Sequence, residues 1–393
     1  CGYHQSAASR GECACKRLGC IMSDLLQKIT DVKVWHIRVP VVSKRSHGIG
    51  DIEGGFEVVL LRLTTEGGQE GWGEAACWSV FTGSPEASYY ALSRYLRPLI
   101  LGRMVSERER IIGTALYAIA HATEAKAALE SALLDLEGKI LNQPVWALFG
   151  QKSQARIPLS VSIANPDFEE DKQLLQKISA DGVRLIKLKT GFKSHQFDIM
   201  RCEYIRKYHP ELSLRVDFNQ GLEAEEGVSR TLDLATFEPD FIEQPVRAHD
   251  YETMAKINRQ CPVLLLADES VFGPEDVKKA ISQNIAGGVS IKVMKSGGIK
   301  RARKTAQIAA KAGWSCYGGD MHETGLGHLP GVHLIASCPE ITLGCEFYHA
   351  RYYVIEDILS TKFPIDEGHV VVPDSPGLGF SPDIEKIDAL SLK

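Results

Sequence analysis

From about residue 157 the chain repeats one pattern eight times: a short apolar stretch and then a longer amphipathic one. The apolar stretches begin roughly 23 to 29 residues apart, which is the length of one strand–helix unit. They are, in order, IPLSVSI, VRLIKLK, LSLRVDF, DFIEQP, VLLLADE, GVSIKV, SCYGG and TLGCEF. Eight consecutive units predict an α/β protein built on a (β/α)8 barrel of the modified TIM type. A doubly wound sheet is the competing fold, but no glycine-rich dinucleotide fingerprint follows any of these strands.

The rest of the chain divides into three segments around this barrel, which we place at residues 151–355. Residues 30–150 combine β-like stretches with two or three helical ones, which predicts an N-terminal α+β capping domain. Residues 356–393 are rich in Pro and Gly turns, and we expect this C-terminal segment to pack back on the capping domain and complete it. Residues 1–29 are expected to be a disordered or non-native leader, with the protein proper starting near Met22.

Composition excludes several classes of function. The chain is 44% apolar and 24% charged, with a net charge of −5, so no charge argument favours nucleic acid or an anionic membrane surface. No apolar run approaches the roughly 18 residues of a membrane helix, and we expect a cytoplasmic protein. Most cysteines are scattered singly, which indicates reduced, buried side chains. A metal or redox role for Cys13, Cys15 and Cys20 is the alternative in the leader.

Three carboxylates end successive strands of the predicted barrel: Asp217, Glu243 and Asp268. Active sites of such barrels lie at the C-terminal ends of the strands. A single acidic residue there is usually a helix cap or a loop charge, but three in phase would repel one another without a cation. Oxygen ligands suit a hard divalent ion, so the spacing predicts an Mg2+ site, with Mn2+ as the alternative ion.

Lysines reach the same end of the barrel from two sides. Lys187 and Lys189, in IKLKTG, share one face of the second strand, and Lys292 ends the sixth strand across the barrel. A partly desolvated lysine beside another cation has a lowered pKa and can act as a base. Such bases around Mg2+ suit removal of the α-proton of a metal-bound carboxylate, which gives an enediolate. The alternative is that these lysines lie along the outer face of the barrel. That would account for one of them, but not for lysines on two opposite strands.

These motifs together resemble the enolase superfamily, specifically its mandelate racemase/muconate lactonizing enzyme branch and the muconate lactonizing enzyme subgroup within it. GWGEA and AALESALLDLEGKILNQPVWALFG are similar to the capping domain of that family. IKLKTG, DFN, EQP, LADES and IKVMKSGG are similar to its metal and base motifs, so the resemblance covers nearly the whole chain from about residue 30. It implies a Lys base beside Mg2+, the known arrangement of such sites.

Residue roles follow from the resemblance. The three carboxylates would bind the metal, Lys189 would be the base on one face, and Lys292 the acid or base on the other. Lys187 would depress the pKa of Lys189 and help to bind the substrate carboxylate. Asn219 and Glu269 would support the metal ligands from behind.

A second subgroup, that of mandelate racemase, uses a histidine on the seventh strand with an aspartate on the sixth. Lys292 on the sixth strand argues against that arrangement, while His322 keeps it open as an alternative. Lys295 is expected to be structural.

The substrate is indicated by the charges expected around the site. Lys44, Arg45 and His47, in the capping-domain loop SKRSHGIGDIEGG, could serve the second carboxylate of a muconate-type diacid. The muconate cycloisomerases, by contrast, carry an uncharged residue where Asp320 stands in GGDMHETG. Dipeptide epimerases of the family have two acids flanking one residue of the last strand, and EFY here has only the first, Glu346.

Three acidic residues, Asp320, Glu323 and Glu346, would repel a dianion and attract an ammonium group. With His47 and His322 they are the expected substrate-binding residues. We therefore expect epimerisation or dehydration of a small amino-acid-derived carboxylate, such as a proline or hydroxyproline derivative.

Three further expectations concern other functions and partners. Cycloisomerisation of a muconate-type diacid is the main alternative reaction. A non-catalytic binding or structural protein on the same scaffold is the alternative of another class, although such proteins usually lose a metal ligand or a base, and none is missing here. The expected partners are a small carboxylate substrate and further copies of the chain in a homo-oligomer, with no nucleic acid and no membrane.

Overall fold

A computed structural model describes residues 25–392 of the protein. Most of the expected leader, including Cys13, Cys15 and Cys20, lies outside the described residues. The described part contains an N-terminal α+β domain, a barrel and a C-terminal segment, in that chain order.

The N-terminal domain is a three-stranded antiparallel sheet covered by helices. Its strands are Ile29–Val39, Phe56–Thr65 and Glu70–Ala76, in that spatial order, and a hairpin of Arg45–His47 with Gly50–Ile52 leaves the sheet. Its helices are Pro85–Tyr90, Arg97–Ile100, Arg108–Ala118 and Thr123–Leu141, with a π-helical turn at Ala91–Leu96.

The longest helix packs closely on the third strand of this sheet because two glycines of GWGEA make room for it. A Cβ on Gly71 would lie 2.1 Å from the carbonyl oxygen of Ala132, and one on Gly73 would lie 2.0 Å from that of Ala128. Real Cβ atoms do not approach backbone this closely, so these two positions require glycine.

The barrel contains eight parallel strands in the order in which they occur along the chain. They are Ser160–Ile163, Leu185–Lys189, Ser213–Asp217, Ile242–Glu243, Leu265–Ala267, Gly288–Ile291, Ser315–Gly318 and Ile341–Cys345. A parallel bridge between Leu159 and Cys345 joins the first strand to the last. The sequence prediction of a (β/α)8 barrel with a capping domain is confirmed, and sequential strand order with this closure is incompatible with a doubly wound sheet.

Helices surround the barrel and lie between its strands. They are Phe168–Ala180, His195–Tyr208, Ala224–Ala235, Tyr251–Gln260, Pro274–Ser282, Ile299–Lys311 and Gly325–Ala336, with short ones at Val293–Ser296 and His349–Tyr352. Several begin at a side-chain cap; the carboxylate of Asp167, for example, accepts a hydrogen bond from the backbone of Glu169. Most of the buried apolar strand residues form one core with the inner faces of these helices, and Phe241, Leu266 and Tyr317 form a separate small cluster.

The C-terminal segment joins the barrel to the N-terminal domain. Strands Ile365–Asp366 and His369–Val371 form a small sheet with Arg156–Pro158 at the start of the barrel. The last helix, Ile384–Leu390, lies against the first strand of the capping domain, where Trp35 Nε1 donates a hydrogen bond to Asp388 at 2.9 Å. Among residues 25–392, no helix combines the length and apolar character needed to cross a membrane.

Candidate active site

The register of the barrel strands places the charged side chains predicted for the site at the same height along the barrel axis. Lys189 is paired with Asp217 on the next strand, and Asp217 with Glu243 on the strand after that. Asp268 follows directly on the fifth strand, and Lys292 on the sixth. Because all eight strands are parallel, their carboxyl ends meet at one mouth of the barrel.

Lys187 lies at the centre of a cage of carboxylates. Its ammonium is 2.7 Å from Glu346, 3.1 Å from Glu243 and 3.1 Å from Asp217. Its side chain is completely buried, which alone would lower its pKa, but the three acids outweigh burial and raise the pKa well above its ordinary value. Lys187 is therefore a fixed positive charge that holds three strand ends together.

Lys189 and Lys292 differ from Lys187 because each faces the open pocket. Lys189 donates to Asp217 at 2.7 Å and Lys292 donates to Asp268 at 2.7 Å. Both line the same cavity, one from the second strand and the other from the sixth. Strands two and six lie opposite each other in an eight-stranded barrel, so the two ammonium groups approach the cavity from opposite walls.

The charges around Lys292 include acids as well as the neighbouring cations. Burial does favour the neutral form of Lys292, but Asp268 and Glu243 outweigh it and raise its pKa. Asp268 lies only 2.7 Å from the ammonium of Lys292. By contrast, burial lowers the pKa of Lys295, which donates to the backbone and side chain of Asp268, consistent with a structural role.

The donor set of Asp217, Glu243 and Asp268 fits a hard divalent ion. All three side chains are fully buried, and Glu243 Oε1 has no hydrogen-bond partner among the described residues. Burial raises the pKa of Glu243 to about 7, and the neighbouring Asp217 and Asp268 add to this, so the carboxylates repel one another as expected for ligands that share a cation. In this structure the carboxylate oxygens of Asp217 and Asp268 face lysine ammonium groups. One oxygen from each of the three carboxylates does not come within 4.8 Å of the other two.

Asn219 and Glu269 lie beside these carboxylates. Asn219 donates from its side chain to Glu269 at 3.1 Å and from its backbone to Asp217 at 2.8 Å. Burial raises the pKa of Glu269 to about 8, and Asp268 and Asp217 add to this. The pair positions Asp217 from behind, and Asn219 also reaches the cavity.

The cavity is small, and half of its lining side chains carry aromatic or imidazole rings. The centre of a water-sized molecule can occupy only about 30 Å³ of it. Its lining residues are His47, Trp78, Phe81, Ser162, Lys189, Asn219, Lys292, Asp320, Met321, His322, Tyr348 and His349. Lys189 and Lys292 are the lysines in this lining, and Asp320 is its carboxylate.

Sequence comparison identifies the family of a chain with this site. The family model "Mandelate racemase / muconate lactonizing enzyme, N-terminal domain" matches residues 35–150, and "Enolase C-terminal domain-like" matches residues 170–387. The protein belongs to the mandelate racemase/muconate lactonizing enzyme family. The resemblance noted from the motifs is confirmed, and the chain is an enzyme of the enolase superfamily.

Curated relatives within this family are isomerases of several kinds. The chain is 32% identical to a chloromuconate cycloisomerase of Cupriavidus pinatubonensis, over 84% of this chain and 90% of the relative. It is 31% identical to an L-Ala-D/L-Glu epimerase of Bacillus subtilis (82% and 88% covered) and 30% identical to an N-succinyl-L-Arg/Lys racemase of Bacillus cereus (93% and 98% covered). These identities are too similar to distinguish one reaction from another.

Solved structures agree with this assignment. The muconate lactonizing enzyme of Pseudomonas fluorescens, complexed with muconolactone, superposes with a TM-score of 0.89 at 28% identity, covering 93% of this chain and all of that one. The N-succinyl Arg/Lys racemase of Bacillus cereus superposes with a TM-score of 0.87 at 28% identity, covering 93% of this chain and 98% of that one.

Not all of the substrate-binding residues expected from the sequence reach the cavity of this family member. Asp320, His47 and His322 line it. Glu346 is instead paired with Lys187, and Glu323 accepts from the backbone of Met321 at 3.1 Å, outside the lining. The strand ends were correctly located, but their partners depend on the other elements that pack around them.

Of the three residues of the capping loop that could serve a second carboxylate, His47 lines the cavity, but Lys44 and Arg45 do not. Lys44 pairs with Asp51 at 2.7 Å on the surface. Arg45 is buried and donates to the backbone of Ser162, with its guanidinium over the ring of Tyr353. Neither provides a cation for a second carboxylate in the cavity.

Sequence reasoning missed the aromatic part of the cavity wall. Trp78 and Phe81 come from the capping-domain loop after GWGEAA, and Tyr348 and His349 from the short segment after the last strand. The aromatic spacing of CWSVF was the available signal for the first pair. His328 could not have been found from strand ends, because it lies inside helix Gly325–Ala336.

Proposed function

We propose that the enzyme binds Mg2+ and removes the α-proton of a small amino-acid-derived carboxylate, which it then epimerises or dehydrates. A proline or hydroxyproline derivative is the substrate class that we favour. The observation that carries the proposal is the pair Lys189 and Lys292, which reach one cavity from opposite walls. Opposed ammonium and amine groups can act on both faces of one carbon atom.

The charges of the cavity favour a substrate with one carboxylate and one cation. Asp320 lies on the wall, where it can accept from an ammonium or iminium group. Lys44 and Arg45, which would have served a diacid, are engaged elsewhere. The aromatic side chains of Trp78 and Phe81 add surfaces that attract cations.

Asp217, Glu243 and Asp268 would hold Mg2+, which supplies the positive charge that stabilises an enediolate when it is bound. Lys189 takes the α-proton from one face. Lys292 donates a proton to the opposite face for epimerisation, or to the departing β-hydroxyl for dehydration, in which case water leaves and a double bond forms. Lys187 keeps the strand ends in place through its three carboxylate partners.

Cycloisomerisation of a muconate-type diacid is the second candidate. Relatives named muconate cycloisomerase or chloromuconate cycloisomerase match most of the chain at 28–32% identity. The same lysines and metal ligands would serve that reaction, so the shared residues do not exclude it. The carboxylate of Asp320 on the cavity wall opposes it, because it would face a dianion.

Proton NMR of the purified enzyme with Mg2+ in D2O tests the proposal. One pool of substrates contains amino acids with the proline and hydroxyproline isomers, and a second contains muconate-type diacids. We expect loss of an α-proton signal in the first pool, and loss of this activity when a chelator removes the metal. Lys189→Met and Lys292→Met should each reduce turnover by about 100-fold or more, since a positioned acid or base contributes 10²–10⁴-fold.

The matched control is Lys207→Met, which removes an exposed lysine outside the cavity and should leave turnover unchanged. If each lysine variant loses α-proton exchange with a different enantiomer of the substrate, the two lysines act on opposite faces of the α-carbon. Turnover confined to the diacid pool would instead show a cycloisomerase and refute our charge argument. If both lysine variants keep the turnover of the wild-type enzyme, the proposed roles of Lys189 and Lys292 are refuted.

A further inference from the structure

Behind the cavity wall, three side chains from separate elements bring their polar atoms together. Asp320 follows the seventh barrel strand, His328 lies in helix Gly325–Ala336, and His349 begins the short helix after the last strand. Asp320 Oδ2 is 3.1 Å from His349 Nδ1 and 3.5 Å from His328 Nε2, and the two nitrogens are 3.3 Å apart. Among the residues that the structure describes, this is the one group of three or more ligand-type side chains close enough to hold a metal ion.

The size of this triangle matches a metal ion. Ligand atoms about 2.1 Å from one ion lie roughly 3.0 to 3.4 Å from each other in octahedral or tetrahedral geometry. The three measured separations fall in or next to that range. Glu323 Oε2 lies 3.6 Å from His328 Nε2 and could supply a fourth donor.

Hydrogen bonding satisfies the three groups only in part, since His328 Nε2 and His349 Nδ1 bond each other and other polar atoms of the cluster are left without a partner. Asp320 Oδ2 has no hydrogen-bond partner within residues 25–392, although the residue is only 8% exposed, and His328 Nδ1 has none either. Both imidazole rings are buried, that of His328 completely. A neutral imidazole is the form that binds metals, and an unpartnered buried carboxylate oxygen is costly without a cation.

We propose that Asp320, His328 and His349 form a second metal site, for a borderline divalent ion of the Zn2+ type. Two imidazole nitrogens with one carboxylate select such ions, whereas the three carboxylates of the catalytic site select a hard ion. Asp320 and His349 also line the cavity, so an open coordination position would face the substrate. The proposal does not depend on which reaction the enzyme catalyses.

A bound ion there has a direct consequence for the cavity. It would occupy the carboxylate of Asp320 and place a positive charge where the lining otherwise carries a negative one. Zn2+ would therefore change which substrates the cavity accepts, independently of Mg2+ at the catalytic carboxylates.

The experiment uses the full chain, freed of metal with a chelator and then saturated with Mg2+. Titration with Co2+ is followed by visible absorption, and bound Zn2+ is counted by equilibrium dialysis. We expect one additional ion, with a Co2+ spectrum typical of nitrogen ligation. His328→Gln and Asp320→Asn should each weaken its binding by at least about tenfold, since even groups behind the ligands contribute 10–100-fold.

Two matched variants separate this site from other sources of binding. His322→Gln removes another buried histidine of the same cavity and should retain the ion. A variant with Cys13, Cys15 and Cys20 changed to serine should retain it as well. The proposal is overturned if no ion binds beyond the Mg2+ site, or if binding survives His328→Gln and Asp320→Asn or disappears in the serine variant. Circular dichroism of each variant verifies that it is folded, and the near-isosteric Asp320→Asn guards against misfolding of the His328 variant.

Discussion

Replacing Glu74 with glutamine should remove a pH dependence of stability that one buried carboxyl group imposes on the protein. Glu74 is fully buried within the capping domain's third strand and contacts the loop after the seventh barrel strand. Its two oxygens accept from the backbone of Thr324 at 2.9 Å and from the Thr324 hydroxyl. Thr324 in turn caps helix Gly325–Ala336, so Glu74 connects the capping domain to the loop that carries Asp320.

The size of the effect follows from the pKa of this group. Burial raises the pKa of Glu74 from 4.5 to about 7, against the lowering effect of the Thr324 hydrogen bonds. Between these values the folded state binds the proton and the unfolded state does not, so stability falls as the pH rises through this interval. This difference in pKa between the folded and unfolded states corresponds to about 3 kcal/mol of stability. Because glutamine does not titrate, the Glu74→Gln variant does not lose this stability as the pH rises.

The free energy of unfolding of both proteins is measured by urea unfolding, followed by tryptophan fluorescence, at several pH values between about pH 5 and pH 8. We expect Glu74→Gln to be close to wild type or slightly less stable at the acid end, and to improve relative to wild type by about 2–3 kcal/mol at the alkaline end. Other buried acids titrate in the same interval, but their contribution cancels in the difference. Parallel curves for the two proteins would refute the reasoning, and Glu252→Gln, at an exposed position, is the control that should run parallel to wild type.

Two further predictions concern the capping domain. Gly48→Ala should raise KM and lower kcat together. Its Cβ would lie 2.1 Å from the backbone oxygen of Phe218 and would push the capping loop away from the barrel. The matched control in steady-state kinetics is Gly50→Ala, whose Cβ would make only ordinary contacts. Asp135→Ala should lower the free energy of unfolding by about 2–6 kcal/mol, since it leaves two buried backbone N–H donors unpaired at about 1–3 kcal/mol each. Asp374→Ala, which removes an exposed ion pair, should cost about 1 kcal/mol or less in the same urea assay.

Equal kinetics for the two glycine variants would show that the loop tolerates displacement. A change in urea midpoint for Asp135→Ala no larger than that for Asp374→Ala would show that the backbone donors find water or other partners.

The barrel and the level of its charges could be predicted from the sequence because both depend on short-range order. Strand–helix alternation determines the order of parallel strands, and the two-residue period of a strand determines which side chains share a face. Lys187, Lys189 and Lys292 are at the barrel mouth for this reason, and Asp217 is paired in register with Glu243.

The partner of each charge was decided only by the tertiary structure. Glu346 and Asp320 both follow strand ends, yet one is taken by Lys187 and the other faces the cavity. The same applies to Arg45, which turns to Ser162. The three carboxylates that raise the pKa of Lys187 come from the ends of three other barrel strands.

The cluster of Asp320, His328 and His349 depends even more on long-range packing. Its members come from a loop, the interior of a helix and a segment beyond the last strand, and no spacing in the sequence brings them together. Local periodicity thus determined where each side chain leaves the backbone. Electrostatics and ligation act over a few ångströms, so what each side chain meets was determined by how distant elements pack.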